Sequence, residues 1–425
     1  MVILGIETSC DETALCILKT DGRSETGVNL EILANNVLSQ IVLHRKYGGV
    51  FPMLAKREHA KNLVPLLKKT LEKSGFLRPV KKSENLKAYS LQLKNFLERE
   101  PELLKQFLEL IPTIKKPPID LISVTIGPGL EPALWVGLNF AKALSTVWQI
   151  PLVPINHMEG HIFSSLLRRK NEFSIFNFQF LNKLNAERYT LNLPGFPALA
   201  LLISGGHTQL VLMRGMDSYE VVGETLDDAV GEAFDKVARI LGLPYPGGPE
   251  ISRLADEARA RKDSEKPTEK RKLPRPMLHS PDLNFSFSGL KTAVLYLTKK
   301  IGTVDQDIKM QIAREFEDAV TEVLITKTQK AAERFGANAL ILGGGVTANK
   351  HIRETFRKWT YEHSGPAFYL PTIDHSTDNA LMIAIAGFFH RNSAITETSG
   401  LSEIKAVGNL QLTPHCDIDT NNIVL

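Results

Sequence analysis

Cysteine is scarce in this chain: only Cys10, Cys16 and Cys416 occur, with no C-x-x-C pair among them. A disulfide framework and a thiolate zinc cluster are therefore excluded, and a reducing compartment is favoured. No apolar run approaches the length of a membrane span; the stretch 198–203 is short and soon meets Gly205-Gly206. No basic, apolar or Arg-rich leader precedes the strand-like Val2-Ile3-Leu4-Gly5-Ile6, so a cytoplasmic protein with no membrane partner is expected. Neither G-x-x-x-x-G-K-[ST] nor G-x-G-x-x-G is present, which weighs against P-loop and Rossmann nucleotide sites. Charge of one sign is also lacking. A net charge of +4 permits contact with nucleic acid without implying it.

What is present is a 425-residue chain of ordinary globular composition, 43% hydrophobic and 23% charged, long enough for two or three domains. Strand-like segments alternate with helical ones, giving an α/β class. Two strand–polar turn–strand units, around 7–13 and around 204–208, suggest a duplicated α/β domain. The Asp21-Gly22 pair reads as a further turn after a short second strand. Residues 79–118 read as two amphipathic helices, about 86–99 and 102–111, either a hairpin packed on its own domain or a docking surface for a partner. The segment 259–275, rich in Lys, Arg, Glu and Pro, reads as a mobile basic surface loop.

The most informative stretch is His157-Met158-Glu159-Gly160-His161. Histidines four residues apart share a helix face and suit one metal ion. In a metalloprotease the acid directly follows the first histidine. Here Glu159 lies two residues on, roughly 200° around a helix, and points away from the metal face. Asp374 and Asp378 are candidate acidic third ligands, although Asp378 also sits where a helix N-cap would be. Ser204-Gly205-Gly206-His207-Thr208 and Gly343-Gly344-Gly345 offer bare backbone to an anion or a flat ligand, or are plain tight turns.

In order along the chain, GIETSCDET (5–13), YGGVFP (47–52), GPGL (127–130), NHMEGH (156–161) and LLISGGHTQL (201–210) are followed by DDAVGEAFDKVARILGLPYPGGP (227–249), FSFSGLKT (285–292), GGGVTAN (343–349) and STDNA (376–380). This series resembles the tRNA N6-adenosine threonylcarbamoyltransferases, formerly called O-sialoglycoprotein endopeptidases. The resemblance implies a two-domain actin/Hsp70-like (ASKHA, RNase H-like) architecture with an interdomain cleft. The expected division is 1–155 plus 379–425 against 156–378. The implied activity is transfer of a threonylcarbamoyl group from threonylcarbamoyl-AMP to N6 of adenosine 37, in tRNAs reading codons that begin with A, with release of AMP.

By motif, the resemblance implies that His157, His161 and Asp378 hold one divalent metal ion, iron or zinc. It places Leu202, Ile203, Ser204, Gly205, Gly206, Asp235, Gly248 and Asn349 around the adenylate, with Asp11 and Glu12 near the reacting centre. The tRNA would need a basic surface such as one including Arg57. Further implied partners are a paralogous dimer partner and an ATPase subunit, or a second copy in a homodimer. Asn156 stands where members often carry His, and both 79–118 and 259–275 are insertions relative to compact bacterial members. Competing readings are a metalloprotease and a chaperone-like or sugar-kinase-like nucleotide binder.

Overall fold

A computed structural model describes residues 1–24, 27–80, 89–169, 187–261, 272–362 and 365–412. Its first half runs β1 (Val2–Glu7), β2 (Glu12–Ser24), β3 (Gly27–Ser39), α1 (Ile41–His44), α2 (Pro52–Lys73), α3 (Ser90–Leu97), α4 (Pro101–Leu110), β4 (Leu121–Gly127), α5 (Glu131–Trp148), β5 (Leu152–Asn156) and α6 (His157–Ser165). Next come β6 (Leu167–Arg169), β7 (Glu187–Leu191), β8 (Ala198–Ile203), β9 (Thr208–Gly215), β10 (Ser218–Glu224), α7 (Val230–Ile240), α8 (Gly247–Ala260), α9 (Ser288–Ile301) and α10 (Gln306–Phe335). The chain closes with β11 (Ala339–Gly343), α11 (Lys350–Glu362), β12 (Ala367–Tyr369), α12 (Ala380–Phe389) and α13 (Thr398–Glu403).

Two mixed sheets result, ordered β5-β4-β1-β2-β3-β7-β6 and β10-β9-β8-β11-β12. Each contains an antiparallel three-strand meander with two parallel strands added beside its first strand. The second sheet thus repeats the five-strand order of the first, which is the duplication that the paired hairpins suggested. The α/β, actin-like two-sheet architecture follows from this repeat.

Alternation along the strands sorts side chains into three cores. In β2, Leu15 and Ile17 face α2, α3, α4 and α5, while Ala14, Cys16 and Leu18 face the middle of the molecule. In β8, Ala198, Ala200 and Leu202 face the middle, and Leu199, Leu201 and Ile203 pack on α7, α8 and α10. The middle layer is α6 and α12, held between the two sheets. Helix α12 lies very close to the first sheet: a Cβ on Gly5 would come within 2.3 Å of the Ala380 carbonyl oxygen, and one on Gly387 within 2.6 Å of Ser123 Cβ.

The elements refine the sequence reading in places, and the 79–118 segment follows one of its two alternatives. The second strand does not end near Asp21-Gly22. A bulge with Gly22 at φ +102° lets β2 and β3 continue as one long hairpin. Strands β6 and β7 fall inside the segment 156–378, yet β7 pairs with β3 in the first sheet. The 79–118 helices pack on their own lobe, with Leu93, Phe96, Leu97, Leu103 and Phe107 buried against α2 and α5. Residues 81–88, most of the basic loop (262–271) and the tail from 413, with Cys416, lie outside the described residues. Among the described residues no helix is long and apolar enough to cross a membrane.

The closeness at Gly5 generates a test. Gly5→Ala should destabilise the fold by about 1–3 kcal/mol, because backbone rather than a flexible side chain must move. A urea unfolding midpoint equal to that of the unchanged chain would refute this account of how α12 is seated.

Candidate metal and acyl-transfer site

The first turn of α6 and the turn before α12 meet in the middle layer. Asn156 caps α6 by accepting the Met158 amide at 2.9 Å, which starts the helix at His157 and leaves both imidazoles on one face. The cap of α12 is Asn379, not Asp378: its side chain accepts the Met382 amide at 3.1 Å. Asp378 is therefore free to turn towards the histidines. Its Oδ1 lies 3.4 Å from His157 Nε2 and 3.2 Å from His161 Nε2. One ligand atom from each of the three residues falls within 4.8 Å of the others. Asp374, the other candidate acid, is in a separate short helical turn and is not part of this group.

The donor set suits a divalent ion of borderline softness. His161 Nδ1 is buried without a hydrogen-bond partner, and Nε2, outside hydrogen-bond geometry, meets only Asp378, as a nitrogen facing an ion beside that carboxylate would. Behind His157 stands Glu7, whose Oε2 is 3.1 Å from His157 Nδ1 and also accepts the Thr125 hydroxyl, while Oε1 accepts the Ser9 amide. A carboxylate in this place fixes the ring and its tautomer, leaving Nε2 for the ion. Sequence reasoning missed Glu7. The available signal was a lone carboxylate ending an otherwise apolar buried strand.

Burial disfavours charge on all three groups, but mutual attraction outweighs it. His157 is held well above its ordinary value by Asp378 and Glu7, and both acids are held below theirs. His207 contributes differently. Burial and the neighbouring His157 and His161 push it down to about 4, so it stands neutral beside the cluster. It too was absent from the expected site.

Asp11 ends the turn between β1 and β2, and Glu12 opens β2. Glu12 is raised well above the carboxylate range by burial and by the Asp11 and Asp378 charges; Asp11 is raised by burial, against hydrogen bonds from Cys10 and Glu12. Asp11 Oδ2 is buried with no partner, and so is Ser9 Oγ. His59 braces this turn from behind, with Nε2 3.0 Å from the Cys10 carbonyl and Nδ1 2.8 Å from Thr13 Oγ1.

The expected adenylate residues are distributed unevenly. Leu202 and Ile203 have fully buried side chains, so only their backbone could serve a ligand. Gly205, Gly206, Gly248 and Gly345 border open space, with no atom within 4 Å of a hypothetical Cβ. Gly344, at φ +91°, passes so close to Ile203 that a Cβ would reach 2.4 Å from its carbonyl oxygen, which joins the two glycine turns. Asp235 accepts the Gly247 amide at 2.7 Å, and its carboxyl is raised by burial and, to a lesser degree, by Asp11 across the cleft. Asn349 is already engaged. Its Nδ2 donates to Ser252 Oγ and Glu317 Oε1, both at 2.7 Å, and its Oδ1 accepts the Ile352 amide.

The family model for tRNA N6-adenosine threonylcarbamoyltransferase matches residues 31–78, 91–175 and 180–385. The chain belongs to this family. Relatives carrying that name include one from Polynucleobacter necessarius, 38% identical over the whole of both chains, and one from Thermosipho africanus, 40% identical over 97% of this chain and 100% of its own. The chain is thus a transferase acting in tRNA threonylcarbamoyladenosine modification, and tRNA is its macromolecular substrate. Among solved structures, full-length HypF in a phosphate- and nucleotide-bound form aligns with TM-score 0.45 at 12% identity, covering 92% of this chain and 46% of that one. That likeness is too loose to add to the assignment.

Two outcomes follow from the cluster. His161→Ala should abolish stoichiometric binding of a divalent ion, read by elemental analysis after dialysis; retention of one ion per chain would exclude these ligands. The second concerns pH in the metal-free chain. The raised His157 contributes stability that is complete below its ordinary value of 6.5 and lost as pH rises through its folded value. The lowered Glu7 and Asp378 contribute stability present above their ordinary 4.5 and 3.8 and lost as pH falls. Melting of chelator-treated protein should therefore show a His157-dependent loss as pH rises above 6.5. An equal alkaline slope in His157→Gln would contradict it.

Proposed function

We propose that the chain transfers the threonylcarbamoyl group of threonylcarbamoyl-AMP to N6 of adenosine 37 in tRNAs reading codons that begin with A, releasing AMP. The observation that carries this reading is the His157–His161–Asp378 group, together with the buried, partnerless His161 Nδ1, Asp11 Oδ2 and Ser9 Oγ. Such orphans call for a ligand with several polar contacts.

Residues of the chain divide the work. His157, His161 and Asp378 hold one divalent ion, iron or zinc, with Glu7 orienting His157. When bound, such an ion supplies Lewis-acid polarisation to a carbonyl oxygen. The turn 204–206 and Gly248 present backbone to the adenylate, and Asp235 steadies the second of these turns through Gly247. In the transfer, a bond forms between N6 and the carbamoyl carbon, the bond from that carbon to the phosphate oxygen breaks, and AMP leaves. The proton lost by N6 passes to Asp11 Oδ2, with Glu12 as the neighbouring proton holder. A carboxyl raised by burial is a better proton acceptor at neutral pH than an ordinary one. Asn349 acts through Ser252 and Glu317 on the shape of the pocket.

The protease reading is disfavoured by a specific contact: Glu159 is fully buried, with Oε1 bonded to Tyr219 Oη at 2.7 Å and His390 Nε2 at 2.6 Å, away from the metal group. A paralogous dimer partner and an ATPase subunit, or a second copy of the chain, complete the working enzyme in the cytoplasm.

The decisive assay incubates the metal-loaded chain, with partner subunits, tRNA and threonylcarbamoyl-AMP, and measures modified adenosine. Asp11→Asn should lower turnover by roughly 10²–10⁴-fold while retaining the ion. Absence of product from the unchanged protein, or peptide cleavage in its place, would overturn the reading; full activity of Asp11→Asn would remove only the role given to that residue.

A further inference from the structure

One surface beside the cleft is left unused by this chemistry. At the end of β3, Ser39 Oγ donates to Glu12 Oε1 at 3.1 Å, and the chain on either side of it is apolar yet exposed. Val37, Leu38, Val42, Tyr47, Phe51 and Met53 are each between 41% and 71% exposed. Single exposed apolar residues are ordinary; a run of six within seventeen positions marks a place where something docks. Tyr47 and Phe51 stack on one another, with centroids 5.9 Å apart and planes at 21°.

Cations stand among these residues. Lys46 and Arg57 are exposed and have no acidic partner among the described residues. The turn carrying Tyr47 is also tied to the opposite lobe. Arg45 Nε donates to the Tyr245 carbonyl at 3.0 Å, and Arg239 donates to the Gly48 carbonyl. Tyr245 and Arg239 flank the Asp235–Gly247 turn.

We propose that the Tyr47–Phe51 pair is a stacking platform for an unpaired nucleobase of the tRNA loop, next to the base that enters the cleft, with Lys46 and Arg57 on the adjacent phosphates. This rests on the tRNA reading above. A base drawn out of its stack leaves its neighbours without a face to lie on, and a preordered aromatic pair supplies one. Exposed cations close in sequence to the exposed rings fit a single-stranded polyanion. An apolar protein surface would leave Lys46 and Arg57 without counter-charges.

The test uses the full metal-loaded chain and a labelled anticodon stem-loop RNA. Tyr47→Ala should weaken binding about tenfold, since stacking on one ring is worth about that much, and should raise KM for tRNA with kcat and metal content unchanged. Tyr47→Trp should restore binding, with indole fluorescence quenched by the RNA. Lys46→Ala with Arg57→Ala should flatten the salt dependence by roughly 1.4 in log–log slope. If Tyr47→Ala also lowers the melting temperature, the paired charge variant decides alone. Unchanged RNA binding by these variants overturns the proposal, and loss of protein-partner association in its place assigns the surface to a protein. If the unchanged chain neither binds tRNA nor modifies it, the proposed function falls as well; if it does both and Tyr47→Ala does so equally, only the platform falls.

Discussion

The close seating of α12 against the first sheet is the constraint on which the site depends. Gly5 and Gly387 carry no side chain, so the helix approaches until backbone meets strand. That approach sets the position of the helix start, where Asn379 takes the capping role and Asp378 is turned towards α6. Larger residues at either glycine would push α12 outward and carry Asp378 away from the two imidazoles. The geometry of the His157–His161–Asp378 group is thus a consequence of packing in the middle layer, where α6 and α12 lie between the two sheets.

A second consequence is electrostatic. Burying Glu7, His157 and Asp378 together costs solvation for each, and the arrangement survives because every charge has an opposite neighbour. Thr125 and the Ser9 amide satisfy the remaining lone pairs of Glu7. His161 is treated differently: it is enclosed with neither ring nitrogen hydrogen-bonded. A residue left so is poorly explained by stability alone and well explained by an ion.

Local patterns made much of this legible. The i, i+4 histidines, the amphipathic helices of 79–118 and the paired strand–turn–strand units each carry their own period, and each is found where its period indicated. The order of motifs carried the family. What was not legible depended on distance in sequence. Glu7 reaches His157 across 150 positions, and the role of Asp378 turned on which of two adjacent polar residues capped a helix. The joining of β7 to β3 was hidden because a short edge strand has little pattern of its own. Asn349 is a case that spacing could not anticipate. A motif position suggested a ligand contact, while its amide is spent on Ser252, Glu317 and a helix cap.

Glu159 shows why spacing alone could separate two chemistries. Two residues past His157, its carboxylate is carried to the far side of α6, where the middle layer places Tyr219 from the second sheet and His390 from the end of α12. Burial lowers the affinity of His390 for a proton, yet the Glu159 carboxylate outweighs it and raises that affinity. The acid is therefore committed to tying α6 to α12 and to the second sheet. It fixes the helix that bears the histidines, and the water activation expected of a protease glutamate would require that tie to be broken.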